Sequence, residues 1–245
     1  MKSESVNING IEIDITDYSI LLQLINSAID QNQKLCIAYA NANSVNFSYI
    51  NPEFKNYLQK FDIIHPDGIG IKLAINFLRT GFYKGSRFTG SDFYPLLTAD
   101  AIKHNRKLFF FGNSEEVLNK ISGNNHGLQI AGLQNGYNFE DEKVIAQINS
   151  SMSDILIIGL GTPLQEKWIA EHREHINCRV MICVGDGISV FAGTRQRGPV
   201  LLRAIGMEWL FRLMSSPLKY YKRYIIGNPL FLYRIIMLKM RKLAR

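Results

Sequence analysis

The sequence predicts an α/β fold in which a parallel sheet carries helices on both faces. Two observations predict it. Short runs such as LCIAYA, KLFFFG and DILIIG are apolar at nearly every position. They alternate along the chain with longer stretches of helical periodicity. A strand apolar on both sides belongs to a sheet covered on both sides, and strand–helix alternation makes that sheet parallel. With 245 residues, 47% of them hydrophobic and 20% charged, the chain can bury one large core.

The elements follow in order. VNINGIEIDI alternates about an Asn-Gly turn and predicts a short hairpin. TDYSILLQLINSAIDQ opens on a capping Thr16 or Asp17 and then has helical spacing. LCIAYA is a strand, and NANSVNFSYI leads from loop into helix. FDII is the next strand and GIGIKLAINFLR the next helix. GSDFYPLLTADAIKHN is a helix capped by Ser91 or Asp92. KLFFFG, LQIAGLQ, DILIIGLG and RVMICVGDG are strands. Helices over SEEVLNKI, FEDEKVIAQINSS, PLQEKWIAEHREHI and the short ISVFAG follow them in turn. After Gly198-Pro199 the character changes. LLRAIGMEWLFRLMSSP predicts one helix ending before Pro217, and LKYYKRYIIG is short, aromatic and basic. NPLFLYRIIMLKMRKLAR begins a last helix, with Asn228 as N-cap and Pro229 at the first helical position.

Charge divides the chain at the same place. Residues 195–245 hold twelve Lys and Arg against one acid, Glu208, a net of +11; the remainder has sixteen basic and twenty acidic residues, a net of −4. The expected organisation is an α/β body over 1–194 and a basic helical appendage over 195–245. Arg234, Arg241 and Arg245 form one stripe of the last helix among Leu, Ile, Phe and Met, the pattern of a cationic segment that meets an anionic surface. Its apolar content suits lipid better than a phosphate backbone, so no nucleic-acid partner is expected. Cys36, Cys178 and Cys183 form no CxxC pair and lie in apolar runs, as buried thiols of a reducing compartment do. The first residues have no apolar signal core, and no stretch reaches the roughly 18 apolar residues of a spanning helix. The expectation is a cytoplasmic protein whose tail leaves an apolar face that favours self-association.

In a parallel sheet, ligands bind outside the carboxyl ends of the strands, which makes the strand ends candidate sites. In HPDGIG, Asp67 stands between strand and helix beside Gly68, as a turn residue, a metal ligand or a general base. NANSVN offers Asn41 and Asn43 to a hydroxyl-rich ligand, or a helix cap at Asn43 or Ser44. SRFTGSD puts Arg87 before a helix start, to neutralise a leaving phosphate or to face solvent. GLGTPLQEKW brings Gly159 and Gly161 to a turn whose free N–H groups suit a diphosphate or serve only the turn. Gln165 follows in the first helical turn. VGDGIS sets Asp186 between glycines, to contact a sugar hydroxyl or to shape the turn. The histidines have no HExxH or HxxxH spacing, so no metal site is expected. A GxGxxG turn is missing, which counts against a nucleotide-dependent oxidoreductase.

Taken in order, HPDGIG, GSRFTGSDF, FFFGNSEEV, GLGTPLQEKWI, VGDGISVFAGTRQRGP and IGMEWLFRLMSSP resemble the WecG/TagA/CpsF glycosyltransferases, glycosyltransferase family 26. The resemblance runs from Asn41 to Arg223. It implies a Rossmann-like α/β fold and an inverting transfer that needs neither metal nor cofactor. The donor would be a UDP-sugar and the acceptor a polyprenyl-diphosphate-linked sugar, on the inner face of the cell membrane. The pathway would be bacterial surface-polysaccharide or teichoic-acid synthesis. Family donors carry N-acetylmannosamine, its uronic acid, glucose or galactose.

Residue by residue, the resemblance implies Asp67 as the general base, with Gly68 beside it, and Arg87 as the arginine preceding the family's Gly-Ser-Asp motif. Asn43 matches the family's Thr-x-Asn segment, and Gln165 matches Gly-x-Gly-x-Pro-x-Gln-Glu together with Gly159 and Gly161. Arg212 matches the arginine after Glu-Trp. Lys219, Lys222 and Arg223 fall among the basic residues of an appendage that completes the site and touches the membrane. Asn41 stands where Thr is usual and Asp186 where Gly is frequent, departures that bear on the sugar pocket.

Overall fold

A computed structural model describes residues 4–79 and 88–243. The Asn-Gly turn closes the expected hairpin: β1 (Ser5–Ile8) pairs antiparallel with β2 (Ile11–Asp14), and Val6, Ile8, Ile11 and Ile13 point inward. Six strands form the main sheet: β3 (Leu35–Ala40), β4 (Ile63–Pro66), β5 (Lys107–Gly112), β6 (Gln129–Gln134), β7 (Ile155–Gly159) and β8 (Val180–Cys183). All neighbours are parallel, in the order β4-β3-β8-β7-β5-β6. The chain is therefore α/β with a Rossmann-like parallel sheet, as its pattern predicts. The fourth strand lies two residues later than FDII suggests, because Ile63 to Pro66 take the register opposite Ile37 to Ala40.

The helices of the body are α1 (Tyr18–Asp30), α2 (Ala42–Ile50), α3 (Pro52–Leu58), α4 (Ile69–Leu78), α5 (Gly90–Lys103), α6 (Glu115–Asn124), α7 (Asp141–Ser151), α8 (Leu164–His172) and α9 (Ile188–Phe191). Alternation along the strands sorts the core. Ile37, Phe110, Ile157 and Ile182 face α1, α5, α6 and α9, while Phe109, Phe111, Ile158 and Met181 face α7 and α8. A third cluster joins the hairpin to Ala38, Ala40 and helices α2, α3 and α4. Each such side chain contributes about 1.5–3 kcal/mol on burial. Cys36, Cys178 and Cys183 are free and buried, and burial pushes the thiols of Cys36 and Cys178 up to about 12.

Local capping explains several helix starts. Asp17 accepts from the Ile20 N–H at the head of α1, and Ser114 from the Val117 N–H at the head of α6. Asn51 caps α3 with Pro52 at its first position, a helix that the sequence reading leaves unassigned. Two expected caps move. Thr89, not Ser91 or Asp92, precedes α5, and its hydroxyl donates to Asp92 at 2.7 Å. Asn41, not Asn43 or Ser44, caps α2: its Oδ1 accepts from both Asn43 and Ser44 N–H at 3.0 Å.

The tail differs most from expectation. The single helix expected over 201–216 is two, α10 (Val200–Ala204) and α11 (Glu208–Ser215), because Gly206 turns the chain at φ +80°. After α12 (Pro217–Tyr221), residues 222–226 form a π-helical turn that runs directly into α13 (Gly227–Leu243). Asn228 therefore caps nothing. Pro229 lacks the N–H that a regular helix would offer to Ile225, and the wider turn stands directly before it. Phe231 and Ile235 of α13 are buried in the same core as Val45, Ile71 and Ile75. Arg234 turns toward the body, donating to Asn46 O at 2.8 Å and lying over the Tyr49 ring at 4.4 Å. At Arg234 the expected cationic stripe is thus an internal contact, and Arg245 lies outside the described residues. Leu232, Ile236 and Met240 are exposed on the other side of α13. Among the described residues, no helix is long and apolar enough to cross a membrane.

Candidate active site

The carboxyl ends of β4, β3 and β8 open into one cavity of about 660 Å³, within the range of small-molecule sites. Tyr39, His65 and Val184 come to it from the strand ends, and Ile69, Gly70 and Leu73 from α4. Tyr94 enters from α5. The tail closes the remaining side with Glu208, Trp209, Arg212, Arg223, Tyr224 and Leu232. Body and tail together therefore enclose the site.

Asp67 follows β4 directly. Its backbone N–H donates to Ala40 O at 2.8 Å, prolonging the pairing with β3. The half-buried carboxylate lines the cavity, and its Oδ1 accepts from the Gly90 N–H at 3.3 Å. Gly68, at φ +87°, starts α4 with no side chain between Asp67 and a ligand. Among the described residues one long hydrogen bond reaches this carboxylate, which keeps lone pairs free to accept a proton.

Among the described residues the cations of the cavity come from the tail. Arg212 donates to Glu208 at 2.7 Å. Burial pushes the Glu208 carboxyl up, but the hydrogen bond and charge of Arg212 outweigh it and hold the pKa below its usual value. Burial opposes the charge on Arg212 too, and Glu208 more than offsets this, so the guanidinium stays charged. Arg223 lies over the Tyr224 ring at 5.5 Å. Asp186 reaches the cavity from the turn after β8, with Arg195 at 3.8 Å. His65 is 2% exposed, its ring 4.2 Å from that of Phe88 and its Nδ1 3.1 Å from Pro66 O. Burial lowers its pKa, so it lines the pocket as a neutral ring.

Of the residues expected at a site, the structure brings Asn41, Asn43, Asp67, Gly68, Asp186, Arg212 and Arg223 to this one cavity. Arg87 lies outside the described residues. Gly159, Gly161 and Gln165 do not line the cavity. Gln165 is fully buried, its amide consumed by Gly185 and Glu166, and a Cβ on Gly159 would meet Gly185 O at 2.5 Å. Gly159 thus serves close packing of adjacent strand ends. Lys219 and Lys222 are also off the cavity, lying near the rings of Tyr220 and Tyr221. Tyr39, Tyr94, Trp209, Glu208 and Asn228 also line the cavity, beyond the residues expected at a site. The signal available for Tyr39 was one hydroxyl at the end of an apolar strand. Among the described residues, no group of three or more His, Cys, Asp or Glu side chains could hold a metal ion.

A family model described as glycosyl transferase WecG/TagA/CpsF matches residues 6–245. The chain belongs to this glycosyltransferase family. Two relatives bear the name N-acetylglucosaminyldiphosphoundecaprenol N-acetyl-beta-D-mannosaminyltransferase. One, from Bacillus spizizenii, is 27% identical over 225 residues, covering 90% of this chain and 86% of the relative. The other, from Staphylococcus aureus strain MW2, is 27% identical over 250 residues, covering 98% of this chain and 95% of the relative. Membership makes the chain an enzyme of glycosyl transfer.

Proposed function

We propose that this glycosyltransferase moves an N-acetylmannosamine-type sugar, with inversion, from a UDP-sugar to a polyprenyl-diphosphate-linked sugar in bacterial surface-polymer synthesis. The observation that carries the reading is the meeting of Asp67 with Arg212 and Arg223 in one cavity. Inverting transfer needs a base for the acceptor hydroxyl and positive charge for the departing UDP. Asp67 takes the proton; Arg212 and Arg223 neutralise the diphosphate, and the transfer proceeds without a metal. Asn41, Asn43 and Asp186 contact sugar hydroxyls, while Arg87 adds positive charge. The relatives' printed name supports the acceptor class and the sugar.

The acceptor's lipid places the enzyme on the inner membrane face. Leu201, Leu218, Ile225, Leu232 and Met240 are all more than half exposed on the tail, interspersed with Lys219, Lys222 and Lys239. Such a surface docks through apolar insertion plus about 1 kcal/mol per basic residue near an anionic leaflet. The same apolar face would support self-association when no membrane is present.

The test is release of UDP by the purified protein from a panel of UDP-sugars, including UDP-N-acetylmannosamine, with a short-chain prenyl-diphosphate-linked N-acetylglucosamine as acceptor. Acceptor-dependent UDP release supports the reading. Release from no donor, or release indifferent to the acceptor, overturns it.

A further inference from the structure

Behind the cavity wall lies a buried polar chain that the reaction so far leaves without a role. Glu166 is 1% exposed. Its Oε1 accepts from Thr162 Oγ1 at 3.0 Å and from Gln165 Nε2 at 2.8 Å, while its Oε2 is buried with no partner. An ionised carboxylate would leave a charged, bare oxygen in the core, whereas a neutral acid leaves only an uncharged O–H there, at far smaller cost. Burial indeed pushes the pKa of Glu166 up.

Gln165 is held from both ends. Its Oε1 accepts from the Gly185 N–H at 2.9 Å, which fixes which end of the amide is oxygen. Its Nε2 then donates to Glu166 and, over a longer 3.5 Å, to the Tyr39 hydroxyl. Since Tyr39 Oη accepts a hydrogen bond there, its own O–H must point elsewhere. The side chain lines the same cavity as Asp67. A Cβ on Gly185 would stand 2.6 Å from Tyr39 Oη, so a glycine there leaves the phenol its place. Burial raises the phenol's pKa as well, so it remains a donor.

We infer that Tyr39 is a further substrate-contacting residue, donating a hydrogen bond to an acceptor-only oxygen of the nucleotide sugar, and that Gln165 and the neutral Glu166 are positioning residues that hold it as a donor. The inference rests on the transfer reading above. An acceptor-only oxygen of the nucleotide sugar is a phosphoryl oxygen, a uracil carbonyl or the acetamido carbonyl, and two ligands separate the last from the others, because UDP carries only the first two.

The experiment compares wild type, Tyr39→Phe, Glu166→Gln, Glu166→Leu and the double variant Tyr39→Phe/Glu166→Leu. It reads kcat/KM with UDP-N-acetylmannosamine, UDP affinity by calorimetry, and thermal midpoint. Tyr39→Phe should lower kcat/KM about tenfold to a hundredfold, the worth of a donor to a charged or strongly polar oxygen. The midpoint should hold. Weaker UDP binding assigns a partner on the UDP moiety; unchanged UDP binding with the loss confined to the sugar nucleotide assigns the acetamido group. Glu166→Gln, which keeps the accepting oxygen and cannot ionise, should stay within about threefold of wild type, and Glu166→Leu should match Tyr39→Phe. The double variant should lose no more than either single one, because both act through one phenol. Tyr39→Phe within about twofold of wild type, or losses that multiply in the double variant, would overturn the inference. If Glu166→Leu does not fold, a Glu166→Gln loss as large as that of Tyr39→Phe overturns it equally. Should wild type transfer no sugar, the transfer reading falls and the UDP affinities of wild type and Tyr39→Phe decide the role of Tyr39 alone.

Discussion

Replacing Asp67 with Asn separates base chemistry from binding. The amide keeps an oxygen for the Gly90 N–H, a bond that at 3.3 Å is already long. The side chain is only half-buried, so folding stability should change by less than about 1 kcal/mol. The variant also removes a negative charge from a cavity that holds Arg212 and Arg223, so UDP affinity should be unchanged or tighter. The amide cannot take the acceptor proton. Loss of a positioned general base costs about 10²–10⁴-fold in rate. At 1.36 kcal/mol per tenfold, that is about 3–5 kcal/mol of barrier. The assay is UDP release under saturating donor and acceptor, beside calorimetry with UDP and a thermal melt. Turnover within about fivefold of wild type, with normal folding and UDP binding, would refute Asp67 as the base.

Three further outcomes follow from other parts of the molecule. Phe231→Ala should cost about 3–5 kcal/mol in urea unfolding and weaken UDP binding at the same time, since α13 both fills the core and walls the cavity. The Glu208–Arg212 pair should add stability above the ordinary carboxylate value of 4.5 and lose it as pH falls through the lowered folded value. Glu208→Gln should remove that acid-side loss in melts taken from neutral pH down through the acid range below the ordinary carboxylate value. Leu218→Glu with Leu232→Glu should reduce sedimentation with anionic vesicles even at high salt, where a purely electrostatic tail would already have released.

The body was legible because its signals are local or periodic. Ile37, Phe110 and Ile157 lie in runs that can only be buried strands, and Asn9-Gly10 can only be a turn. Asp67 could be singled out because strand ends are few and carboxylates at them fewer. The tail was harder. Arg234 has the spacing of a solvent-facing stripe, yet Asn46 and Tyr49, far away in sequence, claim it. Pro229 read as a helix start because the π-helical turn that admits it has no sequence pattern of its own. Gln165 shows a different limit. Its motif pointed to the site, but spacing along a helix cannot say whether an amide faces a ligand or, as here, the back of the wall. Tyr39 was passed over because a lone aromatic in an apolar strand looks like core until the neighbouring strand ends are known.

The meeting of Asp67, near the chain's first third, with Arg212, Arg223 and α13 has a consequence in time. Synthesis runs from the N-terminus, and domains begin to fold as they emerge. The sheet and most of its helices can form while residues 227–243 are still being added, but the cavity then lacks a wall and Phe231 leaves a gap in the core. A nascent chain would hold its carboxylate without a pocket around it. The cavity is thus complete only with the last helix, and if it is the substrate site, a chain arrested or clipped before that helix would be folded in large part yet inactive.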